Sequence, residues 1–215
     1  MTPSQPTNGN PAPRITVLGI GNLLWADEGF GVRCVEALQQ RYEFADNVTL
    51  IDGGTQGLYL IQHVQQADYL LIFDAVDYNM APGTLKFVAN EEVPRFLGVK
   101  KLSLHQTGFQ EVLMLAQLTG HYPQQVLLMG CQPEYMEDYG GSLRPSVKAA
   151  LELAIEEALK VLHDWGAAPR PRTSALPEDE AVTLRHLELQ RYESERPSEQ
   201  DACRIGDERI LARRS

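Results

Sequence analysis

Three short apolar runs organise the first third of the chain: Ile15-Thr16-Val17-Leu18-Gly19-Ile20, Val48-Thr49-Leu50-Ile51 and Tyr69-Leu70-Leu71-Ile72-Phe73. Each is rich in β-branched or aromatic residues and short enough for one strand. Between the first two, Val32, Val35, Leu38 and Tyr42 recur every three or four residues, the spacing of a helix with one inner face. A shorter helix is predicted over 58–65. The alternation reads as βαβαβ with a parallel sheet. Further on, Pro82-Gly83 marks a turn into Thr84-Leu85-Lys86-Phe87-Val88, which alternates as an edge strand does. Thr107-Gly108-Phe109-Gln110 reads as a capping box opening a helix to about Thr119, closed by Gly120 and Pro123. Val126-Leu127-Leu128-Met129-Gly130 is a further buried strand. Pro145 opens a helix with Val147, Ala150, Leu151, Ala154, Ile155, Ala158, Leu162 and Trp165 along one stripe, ended by Gly166.

Beyond Gly166 the periodic pattern dissolves. Residues 169–215 hold four prolines, mixed charges and Tyr192 as their one aromatic residue. Apart from a short helix around 181–192, this stretch is expected to be a flexible charged extension. The organisation expected is therefore a disordered segment over 1–13, an α/β domain over 14–168 and the extension over 169–215.

Composition narrows the setting. The chain has 215 residues, 43% of them hydrophobic, enough for one well-buried α/β domain. No apolar run approaches the roughly 20 residues that span a bilayer. Residues 1–13 lack the charged and apolar regions of a signal peptide. Cys34, Cys131 and Cys203 have no metal-type spacing, so reduced thiols in the cytoplasm are expected. Of the net charge of −10, residues 1–168 carry −9, from 10 Lys/Arg against 19 Asp/Glu. Such an acidic core argues against nonspecific binding to nucleic acid or anionic membranes, and would tolerate a cation or a basic segment.

The position of the acids matters more than their number. In a parallel sheet the C-terminal strand ends share one edge, where ligand sites of open α/β sheets form. Asp27-Glu28, Asp52 and Asp74 lie at or just beyond the apolar runs, and so are expected to meet in one crevice. Asp27 suits the cap of the first helix, which leaves Glu28 to bind something. Asp52, before Gly53-Gly54-Thr55, is either a site group or a turn-former bonded to its own backbone. Asp74 leaves a buried strand and needs a partner or a shifted pKa, whereas Asp77 is expected to be solvated. His105, placed just before the expected helix, faces the same crevice. Glu28, Asp74 and His105 make a mixed oxygen and nitrogen set suited to nickel or zinc, with coordination positions left open. The remaining histidines have no role assigned. Gly19-Ile20-Gly21 resembles a dinucleotide fingerprint, but Leu24 stands where a third glycine belongs and the acid pair would repel a pyrophosphate. Cys131 reads as a packed strand-end cysteine.

With those residues in hand, the chain resembles the hydrogenase maturation endopeptidases, of the kind serving membrane-bound or uptake NiFe-hydrogenases. The resemblance rests on Leu18-Gly19-Ile20-Gly21-Asn22-Leu23-Leu24 with Asp27-Glu28-Gly29, on Asp52-Gly53-Gly54-Thr55-Gln56-Gly57 and on Phe73-Asp74-Ala75-Val76-Asp77. Ala81-Pro82-Gly83-Thr84, Ser103-Leu104-His105-Gln106-Thr107-Gly108 and Gly130-Cys131-Gln132-Pro133-Glu134 with Tyr139-Gly140-Gly141-Ser142-Leu143-Arg144-Pro145 extend it over about 14–165.

The resemblance implies a three-layer α/β/α sandwich with a central twisted, mostly parallel sheet. It implies an endopeptidase that removes the C-terminal peptide of a NiFe-hydrogenase large-subunit precursor after nickel insertion. The family's metal-contacting residues fall on Glu28, Asp74 and His105, and the nickel is supplied by the precursor. For the chemistry, a metal-polarised carbonyl or water with Asp52 or Asp74 as base is expected, and Gly53, Gly54 and Thr55 would offer backbone N–H groups to the substrate strand. Three other readings stand beside it: a noncatalytic chaperone that checks the nickel site of the same precursor, a nucleotide or phosphate binder, and a general metallopeptidase with its own zinc. The extension after Gly166 exceeds what the core requires. It would aid docking to the precursor or to another maturation protein, or be dispensable, and the dispensable reading is the expectation.

Overall fold

The computed structural model describes residues 11–94 and 104–196, the side chains of the second stretch from 108 onward. Its strands are β1 (Ile15–Ile20), β2 (Tyr42–Glu43), β3 (Val48–Gly54), β4 (Tyr69–Ala75), β5 (Leu85–Ala89), β6 (Gln125–Cys131) and β7 (Arg170–Pro171). Its helices are α1 (Phe30–Arg41), α2 (Ile61–Gln66), α3 (Leu104–Leu118), α4 (Pro145–Asp164) and α5 (Leu189–Glu195). Five strands form one sheet in the order β3-β1-β4-β6-β5. β3, β1, β4 and β6 run parallel, and β5 pairs antiparallel with β6 at the edge, as Pro82-Gly83 foretold.

The central strands read as unbroken apolar runs because both faces are covered. Successive side chains alternate between the faces. Ile15, Val17, Leu71, Phe73, Met129 and Cys131 pack in one core with Phe30, Val35 and Leu38 of α1 and the predicted stripe of α4. Leu18, Ile20, Leu70, Ile72, Val126 and Leu128 pack in the other, against Val64 of α2 and Phe109, Val112 and Leu113 of α3. The three layers thus follow from strand parity and two amphipathic helix pairs.

Two expectations change. α3 begins at Leu104, so Thr107 lies inside its first turn and does not cap it. Residues 169–196, expected as a flexible extension, instead lie along α1. β7 pairs antiparallel with β2, Thr183 is only 3% exposed, and α5 closes the segment. The pattern missed this docking because polar groups make it. Residues 1–10 and 197–215 of the two terminal segments lie outside the described residues. Among the described residues no helix is long and apolar enough to cross a membrane.

Candidate active site

From β1 the chain passes through α1 to the edge strand β3, then returns through α2 to β4 on the far side of β1. From β4 it continues outward to β5 and β6. Connections leaving β1 and β4 therefore diverge, which opens a crevice between these neighbouring strand ends. Glu28 lies in the 3-10 turn Ala26–Gly29 that follows β1, and Asp74 is the penultimate residue of β4.

Glycines make this meeting possible. Gly21 has φ +128°, and a Cβ there would lie 1.8 Å from the Glu28 carbonyl oxygen. A Cβ on Gly31 would lie 2.2 Å from the Phe73 carbonyl oxygen and 2.3 Å from that of Ile20. Only bare backbone lets the Glu28 turn and the start of α1 rest on the ends of β1 and β4. On the other side, a Cβ on Gly108 would be 3.4 Å from the Cα of Gly57, so the N-terminal turns of α3 abut the segment after β3. His105 occupies the first of these turns by its backbone, and its side chain lies outside the described residues. Asp74 is buried, 2% exposed, and Glu28 is half-buried.

Strand register separates the two candidate bases. Asp52 pairs with Gly19, level with Phe73 on the α1 face, whereas Asp74 pairs with Gly130, one step on, and shares the α2/α3 face with Leu70 and Ile72. Asp74 therefore lies on the side of the sheet where α3 begins, and Asp52 on the opposite side. The Asp52 carboxylate accepts the Gly54 N–H, which favours the turn-forming reading. Burial raises its pKa above the ordinary aspartate range, opposed by that N–H and by the Arg33 charge. Beyond it Gly53 is buried, Gly54 half-buried with φ +46°, and Thr55 exposed. An acid with a raised folded pKa favours the native state below its unfolded pKa near about 4, and loses that advantage as pH rises through the folded value. Asp52→Asn is accordingly expected to gain in urea midpoint relative to the wild-type chain between pH 3 and pH 7. A gain that shrinks over that range would contradict the burial effect.

Asp27 departs from its expected role. The turn lacks a side-chain cap, and the buried Asp27 carboxylate is engaged elsewhere. It accepts the backbone N–H groups of Glu134 at 2.8 Å, Tyr135 at 2.9 Å and Arg144 at 2.7 Å. The Asp27 N–H donates to the Tyr135 carbonyl at 3.3 Å and the Gly140 N–H to the Leu24 carbonyl at 2.8 Å. Trp25 meets Tyr139 edge to face, with ring centroids 5.3 Å apart. Loop 134–144 is thereby zipped to the segment that carries Glu28.

Tyr78 escaped the sequence reading, although a glycine within the strand that became β6 was its signal. A Cβ on Gly130 would lie 1.6 Å from the Tyr78 hydroxyl, so that hydroxyl occupies the space beside Gly130, the strand partner of Asp74. Burial, reinforced by Asp74, pushes the phenol pKa well up and keeps it protonated. The next loop is held by Gln132, whose Oε1 accepts the Tyr78 N–H at 2.6 Å and whose Nε2 donates to Asp77 at 3.0 Å. Asp77, expected to be solvated, is thus a loop anchor. Burial pushes the Cys131 thiol up to about 12 and raises that of Cys34, as packed cysteines require. An open cavity of about 340 Å³, lined by Asp77, Gln132, Glu134, Tyr135 and Glu137, borders the ends of β4 and β6.

The family model of the hydrogenase maturation proteases matches residues 32–161. The hydrogenase expression/formation protein HoxM of Cupriavidus necator is 66% identical over 197 residues, covering 92% of this chain and 98% of its own. The hydrogenase 2 maturation protease of Escherichia coli is 44% identical over 160 residues, covering 74% of this chain and 96% of its own. About a quarter of this chain therefore has no counterpart in the latter. The solved hydrogenase maturating endopeptidase HybD of E. coli superposes with a TM-score of 0.71 at 42% identity, over 74% of this chain and 98% of its own.

Proposed function

The chain belongs to the hydrogenase maturation protease family, and we propose on that premise that it removes the C-terminal peptide of a nickel-loaded NiFe-hydrogenase large-subunit precursor. The likeness to a solved maturation endopeptidase over nearly that protein's whole length carries this reading. The crevice at the ends of β1 and β4 supports it with chemistry.

In this proposal the nickel arrives with the precursor as part of the substrate. Glu28, Asp74 and His105 contact it while the precursor fills the remaining positions, so that a precursor without nickel loses the bridge and is released. The ion would polarise the scissile carbonyl or a water molecule. Of the two candidate bases, Asp74 is preferred over Asp52 because it shares the α3 face with the His105 turn. Its carboxylate takes a proton from the attacking water; the carbonyl carbon gains the C–O bond. The proton then passes to the leaving amine as the C–N bond breaks. The Gly53-Gly54-Thr55 backbone pairs with the substrate strand, and the acidic cavity beside β6 receives a basic part of the precursor. The compartment proposed is the cytoplasm.

Intact-mass analysis of a large-subunit precursor, with and without nickel, tests this. Loss of a C-terminal peptide from the nickel-loaded form alone is expected on adding this protein. Unchanged mass with a competent precursor would instead indicate a noncatalytic checking role.

A further inference from the structure

We propose that residues 169–196 form a strap that sets the position of the Glu28 turn, with Glu193 as its positioning residue. The inference rests on the proposed role of Glu28 in substrate contact.

The strap is read by side chains of α1 that sequence patterning would leave in solvent. Arg33 Nη1 donates to the Leu187 carbonyl at 2.5 Å, and Glu36 Oε1 accepts the Leu189 N–H at 2.8 Å. The Gln39 amide donates to the Glu180 carbonyl at 2.8 Å and accepts the Val182 N–H at 2.7 Å. Arg33 and Glu36 are 3% and 5% exposed and pair with each other at 2.6 Å, an arrangement that makes sense only beneath a covering segment. The Arg33 guanidinium also lies 5.5 Å from the centroid of the Tyr192 ring.

One turn on, the strap leaves α1. Glu193 Oε1 accepts the Ser142 hydroxyl at 2.5 Å and pairs with Lys148, while Arg196 donates to the Gly140 carbonyl at 3.4 Å. Ser142 and Gly140 belong to loop 134–144, which Asp27 and Leu24 tie to the Glu28 turn. A continuous series of hydrogen bonds therefore runs from the strap through the loop to the turn. The alignment with the E. coli protease covers 74% of this chain and 96% of that one, so the two chains differ in length around a shared core. The strap acts through the loop and not on the reacting atoms, so it adjusts how this chain's site seats its precursor.

The test uses full-length Glu193→Ala and Glu193→Gln variants, the second keeping an acceptor for Ser142. Hydrogen–deuterium exchange should rise across 134–144 in Glu193→Ala, leave β4 and β6 unchanged and return close to wild type in Glu193→Gln. With nickel-loaded precursor, KM should rise about tenfold in Glu193→Ala at little cost in kcat, the mark of lost positioning and not of lost chemistry. Unaltered exchange in 134–144 overturns the strap. Raised exchange with unchanged KM overturns its effect on the precursor. A wild-type chain that cannot process the precursor refutes the proposed function, and the exchange result still decides whether the strap holds the loop.

Discussion

Asp74→Asn is expected to slow processing of the nickel-loaded precursor by about a hundredfold or more while leaving the fold intact. The side chains have nearly the same shape, so the packing around a residue that is 2% exposed is kept. What changes is charge: an amide neither accepts a proton from water nor binds a nickel ion as a carboxylate does. The urea midpoint should stay close to that of the wild-type chain, as the kept shape and packing require. A time course of precursor mass, with the midpoint measured alongside, separates the two effects. Processing at the wild-type rate in Asp74→Asn would show that the carboxylate is neither base nor metal contact, and would return the choice to Asp52.

The second large effect is structural. Asp27→Ala removes the acceptor of three backbone N–H groups, from Glu134, Tyr135 and Arg144, at a residue with no solvent exposure. Each orphaned donor costs on the order of 1–3 kcal/mol, partly relieved by water entering beside the exposed loop. A loss of about 4 kcal/mol in unfolding free energy is expected from urea titration. Asp27→Asn should lose less, because its one carbonyl oxygen still accepts two of the three. A cost below about 1 kcal/mol for the alanine variant would mean that loop 134–144 is held elsewhere.

Much of this molecule was open to reading from residue order alone, for a physical reason. Strands buried on both faces must be apolar throughout, and helices covering them must be apolar along one stripe. The three first runs and the stripe from Val147 to Leu162 therefore announced the layers. Pro145 at the head of α4 and Gly166 after it, at φ +82°, mark boundaries that local backbone preference sets. The gathering of acids at one sheet edge followed from the parallel order, and the motifs around Glu28, Asp52 and Asp74 carried the family.

What residue order left open are matters decided across long separations. Whether Asp27 caps its own helix or holds a loop more than 100 residues away depends on which N–H donors arrive, and no local rule counts those. Asp52 and Asp74 look alike in sequence, each an acid at the end of an apolar run. The register between β1, β3 and β4 places them on opposite faces, because adjacent levels of a sheet point in opposite directions. Tyr78 becomes a neighbour of Asp74 only because Gly130, one strand away, leaves room for its ring. The strap has no apolar periodicity to betray it. Its order comes from Arg33, Glu36 and Gln39, polar residues whose hydrogen-bonding capacity is met by a backbone that only tertiary folding brings to them.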